Sequence, residues 1–527
     1  MKDITIEEIG INNIPDHLTP NWNKQKIVSH NNQKFDDIFQ IDSIPLSWFY
    51  KRLLSFHTIP PQFQTKALIE KFLEGKNIIK DEKLEKKKKR LQKLYFLNEK
   101  IKIALYRRNR KNINQKKSNV LFLTFIDHTN PEGEIFRLNN LINIIKKDLD
   151  FNPLTITVTP PSKKFYDTIK KQYRCENNFY NFIKKDHEKK AKRAAKELSE
   201  IWKSLSENEK IDLFQDSSLW NCLRYPIEFY YSFEFIYSLA LCYYTYKDII
   251  KENDLKIAVI TSQHNIYERC LNAAASRNNI PILLIQHGAG MGSLKPQLLQ
   301  PFKIAVFSEY YKKILIEQNV EKEDIIVTGP LIFDSIYPFL KNKRIKNISP
   351  KILILTVPFV EQNYFKKENY FEYIKKMVTE INSIPCEITI KLHPREETQK
   401  EYILLKNNSK WSNVEIIQKT GSSYLYDLMS QSDIIINFSS TTALEAMILD
   451  KPLITIIFDN FKNPFNTLLN ESKATMEVNS KNNVSIAITK LLSEDDLKSQ
   501  RRLFVEKICG IIDGKASERV AKIIKDI

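Results

Sequence analysis

The glycine-rich segment that begins at His287 holds the most distinctive chemistry of this sequence. The chain has only 10 glycines, and three of them lie in His287-Gly288-Ala289-Gly290-Met291-Gly292. Glycine permits a positive φ and lets a ligand approach the backbone closely, whereas a tight turn alone would need one glycine rather than three. An imidazole titrates near neutral pH, so His287 is a candidate general base or phosphate ligand. We expect this segment to form one wall of an active site.

A second candidate segment is Lys391-Leu392-His393-Pro394-Arg395-Glu396, which follows an apolar strand. A proline after a histidine ends the strand and fixes the backbone, so the imidazole of His393 should project at the edge of a sheet. Lys391 and Arg395 add positive charge, as suits a diphosphate or a departing nucleoside monophosphate. The alternative interpretation is an ordinary surface turn.

A third segment combines a buried strand, four hydroxyl side chains and a helix. Ser439, Ser440, Thr441 and Thr442 follow the apolar run Ile434-Ile435-Ile436, and Glu445 lies one turn into the helix. Free backbone N–H groups and the helix dipole favour an anion at such a position. Glu445 either completes a capping box or accepts hydrogen bonds from a ribose. Ser422, in Gly421-Ser422-Ser423, begins a smaller helix that could form another wall.

Short apolar runs that alternate with helical segments position these motifs. Runs of this kind predict parallel strands buried on both faces and joined by right-handed βαβ units. We expect an α/β protein with two facing, doubly wound, Rossmann-like domains, a hinge near residues 335–350, and ligands beyond the carboxyl ends of the strands. The predicted parts are a helical, basic N-terminal extension (1–118), an N-terminal acceptor domain (119–340) with a helical insertion (162–251), and a C-terminal nucleotide-donor domain (341–527).

Composition limits the class of protein. The chain has 527 residues, 42% of them hydrophobic, and a formal net charge of +18. The charge suits an acidic partner, such as a nucleotide-activated donor, an anionic acceptor or a membrane surface. No nucleic-acid-binding module is evident, so nucleic acid is not expected. The six scattered cysteines show no metal-ligand spacing. Without an N-terminal apolar run or an uninterrupted apolar helix, we expect a cytoplasmic protein, with peripheral contact to the inner face of the membrane as an option.

Together, the His-Gly segment, Lys-x-His-Pro and Ser-Ser-Thr-Thr-x-x-Glu resemble the GT-B glycosyltransferase superfamily. The resemblance is to sialyl-, polysialyl- and Kdo transferases of bacterial capsule and surface polysaccharides, and to CDP-glycerol glycerophosphotransferases. It implies that His393, Ser439 and Ser440, with Thr441 and Thr442, bind the phosphate of a nucleotide, with a cytidine-type donor favoured. It also implies a base that activates the acceptor, either His287 or an acid such as Asp127, Glu132 or Glu134. The signatures of UDP-N-acetylglucosamine epimerases are missing, which argues against that sister activity.

The resemblance implies transfer by direct displacement, in which the acceptor hydroxyl attacks the activated sugar while the nucleotide leaves. No Asp-x-Asp stands near a strand end, so no metal or other cofactor is required beyond a CMP-, CDP- or UDP-linked substrate. The acceptor would be a glycan or glycolipid. Two alternatives remain: a polyol-phosphate transferase, and a non-catalytic protein that binds carbohydrate or nucleotide.

Overall fold

The computed structural model describes most of the chain beyond residue 24. The described residues are 25–55, 90, 93, 97, 100–104, 117–125, 138–149, 151–158, 177–213, 217–263, 265–286, 288–289, 296–341, 349–361, 364–394, 396–418, 421–438, 442–458, 469, 471–479 and 483–527.

The first sheet of the described chain has six strands. They form because short runs of aliphatic and aromatic residues are buried on both faces of a parallel sheet. In chain order they are β1 (Val120–Phe125), β2 (Pro153–Val158), β3 (Ile257–Ile260), β4 (Ile282–Ile285), β5 (Phe302–Val306) and β6 (Ile325–Val327). Across the sheet the order is β6-β5-β4-β3-β1-β2. The ladders β1–β2, β1–β3, β3–β4 and β5–β6 are parallel, as predicted.

The second sheet also has six described strands and is parallel throughout. They are β7 (Lys351–Leu355), β8 (Glu387–Lys391), β9 (Val414–Ile417), β10 (Ile434–Asn437), β11 (Leu453–Ile457) and β12 (Met476–Asn479). The order β9-β8-β7-β10-β11-β12 corresponds to 3-2-1-4-5-6 in chain order, which is the Rossmann order. β12 is not predictable from the sequence, because this edge strand buries only Val478 and has no continuous apolar run.

The N-terminal part of the described chain is not purely helical. Two short antiparallel ladders pair Lys26–Ile27 with Gln33–Lys34 and Gln40–Ile41 with Ile44–Pro45. They surround a one-turn helix, Phe35–Ile38, and precede α1 (Leu46–Ser55). The ring of Tyr50 in α1 stacks on Tyr230, with 4.6 Å between ring centroids. This segment therefore packs on the helical insertion through aromatic rings.

The insertion is helical where it is described, but its aromatic part, for which the sequence predicts one helix, is two helices. The apolar stretch from Tyr225 to Ile250 is interrupted at Ser232, whose Oγ accepts the N–H of Phe235 and caps the second helix. None of the described helices is long and apolar enough to cross a membrane. The helices up to β4 are α2 (Asn139–Asp148), α3 (Lys185–Ser204), α4 (Glu207–Asp212), α5 (Ser217–Tyr230), α6 (Phe233–Glu252) and α7 (Ile266–Ser276).

For the C-terminal segment the sequence predicts one helix over about 495–527, but the structure has two helices there. Gly510 lies in the left-handed region at φ +64°, and a Cβ there would meet the carbonyl oxygen of Phe307 at 3.0 Å. Glycine is therefore required at this break. The carboxylate of Asp334 caps the final helix by accepting the N–H groups of Ala516 and Ser517. The remaining helices are α8 (Glu309–Glu317), α9 (Lys367–Ile381), α10 (Gln399–Asn408), α11 (Ser422–Gln431), α12 (Thr442–Ile448), α13 (Val484–Ser493), α14 (Lys498–Cys509) and α15 (Ala516–Asp526), with a 3₁₀ run at Leu331–Lys341.

Candidate functional site

The carboxyl edge of the second sheet brings two of the predicted segments together. Leu355, the last residue of β7, is in register with Lys391 at the end of β8 on one side. On its other side it is in register with Asn437 at the end of β10. The segments that begin at Thr356, Leu392 and Phe438 therefore leave the sheet side by side. The order of strands reverses between β7 and β10, and this is where open α/β sheets bind ligands.

Lys391 lies beneath this edge rather than on its surface. Its side chain is buried, and Nζ donates a hydrogen bond to the carbonyl oxygen of Leu392 at 2.8 Å. Burial lowers the pKa of Lys391, while the nearby carboxylate of Glu396 acts in the opposite direction. Its ammonium group is thus tied to the backbone at the end of β8.

His393 is half-buried directly beyond β8, in the position that the sequence predicts. Its backbone N–H is shared between two acceptors. One is Oγ1 of Thr356 at 3.1 Å, and the other is Oε2 of Glu396 at 2.6 Å. The backbone of His393 is therefore fixed by side chains from its own loop and from the end of β7.

Glu396 is a buried carboxylate of the same loop that was not among the candidate site residues predicted from the sequence. Only 4% of it is exposed, and its carboxylate accepts hydrogen bonds from the hydroxyl groups of Thr356 and Tyr402 as well as from His393. Burial raises the pKa of Glu396 to about 7, although these hydrogen bonds act against the rise. A glutamate three residues after the histidine was the available signal, because that spacing allows a side chain to reach back to a backbone N–H.

The segment after β10 is described only at its two ends. Asn437 is fully buried, and its Nδ2 donates to Oγ1 of Thr442 at 2.6 Å, which links the end of the strand to the start of α12. Glu445 is half-buried and accepts a hydrogen bond from the hydroxyl of Tyr426 at 3.3 Å. The hydroxyl of Thr442 is therefore engaged with the strand beneath it.

The start of the glycine-rich segment is anchored by two residues that the sequence analysis did not select. Gln286 donates from Nε2 to the carbonyl of Gly288 at 3.2 Å and accepts the N–H of Phe307 at 2.9 Å. The hydroxyl of Tyr311 donates to the carbonyl of Ala289 at 2.8 Å. Burial raises the pKa of Tyr311, so this hydroxyl stays protonated as a donor. Gly288 and Ala289 are buried, and the segment is thus held from beneath at its first residues.

Several predicted site residues are not tested by these contacts. The side chain of Ser422, the first residue of α11, is not described. Within the described residues no group of three or more His, Cys, Asp or Glu side chains is arranged to hold a metal ion. The predicted residues outside the described part of the chain are Asp127, Glu132, Glu134, His287, Gly290, Arg395, Ser439, Ser440 and Thr441.

Two six-stranded parallel sheets, the second in Rossmann order, confirm the predicted fold class. Two Rossmann-like sheets in one chain are the sheet content of the GT-B fold. Within this fold, the sequence model of the UDP-N-acetylglucosamine 2-epimerase family matches residues 304–525, which is less than half of the chain. This match connects the second sheet with nucleotide-sugar chemistry. The matched family is the epimerase family, whose sequence signatures are missing from this chain. No curated protein matches the sequence.

Solved structures of GT-B enzymes are similar to this chain at low sequence identity. The UDP complex of MnaA from S. aureus is 14% identical, with a TM-score of 0.46, over 78% of this chain and 96% of that one. The UDP-GlcNAc 2-epimerase of Neisseria meningitidis, bound to UDP-GlcNAc, is 16% identical, with a TM-score of 0.46, over 78% and 100%. The wall teichoic acid polymerase TagF, soaked with CDPG, is 11% identical, with a TM-score of 0.41, over 88% and 97%.

Proposed function

We propose that this GT-B protein is a glycosyltransferase that binds a nucleotide-activated sugar at the carboxyl edge of its second sheet. The acceptor would be a glycan or glycolipid of surface polysaccharide synthesis. The observation that carries the proposal is the register of β7 between β8 and β10, because the segments that begin at Thr356, Leu392 and Phe438 leave the sheet at one switch point. Phosphate groups are commonly bound at this place in Rossmann-like sheets.

The proposed roles follow the position of each residue relative to this edge. His393, Arg395 and the hydroxyl groups of residues 439–442 would contact the phosphates, and Lys391 would add positive charge from beneath. Glu445 would accept hydrogen bonds from the ribose, and Ser422 would line the same site. Their common task is to stabilise the negative charge that develops on the departing nucleotide.

The first domain would supply the acceptor side. Gly288 and Gly290 would let the substrate approach the backbone closely, and His287 would remove the proton of the acceptor hydroxyl. Asp127 and Glu132 are the alternative bases. The buried contacts of Gln286 and Tyr311 with Gly288 and Ala289 support a fixed start of this segment. A fixed start would hold a base at a constant distance from the acceptor.

The first experiment identifies which nucleobase the bound nucleotide carries. A thermal-shift panel of CMP, CDP, UDP, UDP-sugars and GDP-sugars would identify it, since a ligand that binds only the folded protein raises the Tm. We expect a cytidine or uridine nucleotide to raise the Tm by several degrees at saturation. If no nucleotide in the panel shifts the Tm, the proposed function is wrong.

The family match favours a second candidate, a nucleotide-sugar 2-epimerase. The two activities give different products, which NMR of the sugar anomeric protons would distinguish. An epimerase converts UDP-GlcNAc to its 2-epimer without any acceptor. A transferase releases the nucleotide and attaches the sugar only when an acceptor glycan is present, and a polyol-phosphate transferase releases CMP from CDP-glycerol. A non-catalytic protein would bind nucleotide and give none of these products.

A further inference from the structure

Glu396 connects three neighbouring strands at the edge where the nucleotide is proposed to bind. Its Oε2 accepts the hydroxyl of Thr356 beyond β7 and the N–H of His393 beyond β8. Its own carbonyl oxygen accepts Nε2 of Gln418, the residue after β9, at 2.6 Å. One residue thus fixes the ends of β7, β8 and β9 relative to one another.

The loop around Glu396 closes on itself. The N–H of Glu396 donates to the carbonyl of His393 at 3.0 Å, while the carboxylate of Glu396 accepts the N–H of His393. The other carboxylate oxygen, Oε1, accepts a hydrogen bond from the hydroxyl of Tyr402 at 3.1 Å. This hydroxyl lies 3.1 Å from the hydroxyl of Tyr370. The carboxylate therefore occupies a buried position with a donor on each of its two oxygens.

We propose that Glu396 is a positioning residue of the nucleotide site, which aims His393 by accepting its backbone N–H and holding it against Thr356. The proposal rests on the proposed function of this edge. It requires a hydrogen-bond acceptor at Oε2 and not a negative charge, because a charge so close to a phosphate would only weaken binding. Glu396 itself does not touch the nucleotide.

Two substitutions of Glu396 distinguish the effect of its hydrogen-bond acceptor from the effect of its negative charge. Glu396→Gln keeps an acceptor oxygen toward His393 and Thr356, while its amide group donates to the hydroxyl of Tyr402, which then donates to Tyr370. Glu396→Met fills a similar volume without any acceptor at Oε2. The N–H of His393 then keeps its hydrogen bond to Oγ1 of Thr356 and loses the shorter one to residue 396, while the hydroxyl of Thr356 is left with the longer contact to the carbonyl oxygen of Lys391 at 3.4 Å.

The charged and titratable groups around Glu396 come from every element packed against it, and both variants retain them. Lys391 and His393 lie at the end of β8, and Glu361 follows β7. Tyr370 comes from α9 and Tyr402 from α10. Since these groups are common to both variants, a difference between Gln and Met reports on the hydrogen bonds of the side chain at position 396 and not on its charge.

The test is calorimetric titration of CMP, CDP and UDP into the full chain at pH 7.5. We expect Glu396→Gln to bind within about threefold of the wild type and Glu396→Met to bind about tenfold more weakly, since the backbone of His393 loses the shorter of its two hydrogen bonds and with it its fixed position. The matched control is Glu397→Gln at the exposed neighbouring position, which should bind as the wild type does. Equal affinity of Glu396→Met and the wild type overturns the proposal, and so does an equal loss in the Gln and Met variants.

A second measurement detects the hydrogen bond to His393 directly, without any nucleotide. Selective ¹⁵N labelling of histidine reports the backbone amide of His393, whose proton should resonate downfield in the wild type and Glu396→Gln and move upfield in Glu396→Met. An amide that does not move overturns the positioning role. If the amide moves but the wild type binds none of the three nucleotides, the proposed function of the edge has failed instead, and the positioning role for a nucleotide is overturned with it.

Discussion

The carboxylate of Glu396 accepts the backbone N–H of His393 over 2.6 Å, at the end of the strand that neighbours the switch point of the second sheet. Through this hydrogen bond, a buried carboxyl group fixes the backbone of a proposed phosphate-binding loop. It also makes the local structure sensitive to pH, because the acceptor is a titratable group whose surroundings oppose its ionisation.

Glu396→Gln should change how stability depends on pH. The pKa of Glu396 is raised by burial from its ordinary 4.5 to about 7 in the folded protein. The folded state therefore holds this proton more tightly than the unfolded state. The resulting stability is fully present below pH 4.5 and is lost as pH rises through 7.

Between pH 4.5 and pH 8, the free energy of unfolding should accordingly fall by up to about 3 kcal/mol more in the wild type than in Glu396→Gln. Urea unfolding at a series of pH values measures the difference. Parallel curves for the two proteins would show that Glu396 does not titrate in this range. Glu397→Gln, at an exposed position, is the control for a general loss of negative charge.

Thr356 offers an independent way to disturb the same loop. Thr356→Val removes the hydroxyl that donates to Glu396 and accepts the N–H of His393, while Thr356→Ser keeps it. We expect nucleotide affinity to fall several-fold in the Val variant and to stay within about twofold in the Ser variant. Calorimetric titration of both proteins is the measurement. The same affinity in both variants would mean that the hydroxyl does not organise the site.

Gln286 should matter for turnover more than for nucleotide binding. Gln286→Leu leaves the buried N–H of Phe307 without its acceptor, which should cost about 1–3 kcal/mol of stability. It also releases the carbonyl of Gly288 at the start of the proposed acceptor-side segment. We expect kcat to fall at least tenfold, because small displacements of a reacting group are costly.

Tyr311→Phe is the comparison for Gln286→Leu, since it removes the hydrogen bond to Ala289 but leaves Gln286 to accept the N–H of Phe307, and it should reduce kcat less. The nucleotide Kd should remain within about twofold in both variants. A large rise of the nucleotide Kd in Gln286→Leu, with kcat unaffected, would assign the glycine-rich segment to the donor side instead.

The strands were predictable because they are buried on both faces. A run such as Ile434-Ile435-Ile436 is apolar without interruption, so its place in a parallel sheet can be read from the sequence. The edge strand around Val478 lacks that property and was not predicted. The single C-terminal helix was a wrong prediction because apolar periodicity resumes after Gly510, and only its positive φ marks the break.

The site was predictable only in part, for a different reason. His393 could be placed at a strand end because proline follows it. For Glu396 the only signal was its spacing from His393, whereas its contacts with Thr356 and Tyr402, which come from other elements of the fold, could not be predicted. Gln286 likewise acts through Phe307, which lies 21 residues away along the chain. Contacts of this kind arise from strand register, which residue types alone do not specify.

The central claim, that a nucleotide binds at the carboxyl edge of the second sheet, is tested most directly at His393. Calorimetry should compare the wild type, His393→Ala and Glu387→Gln, the last being an exposed position at the amino end of the same strand. The measurement uses whichever of CMP, CDP or UDP binds the wild type most tightly. We predict at least tenfold weaker binding for His393→Ala, roughly 1.4 kcal/mol, and no change for Glu387→Gln. Equal Kd values for the wild type and a folded His393→Ala protein would contradict the account.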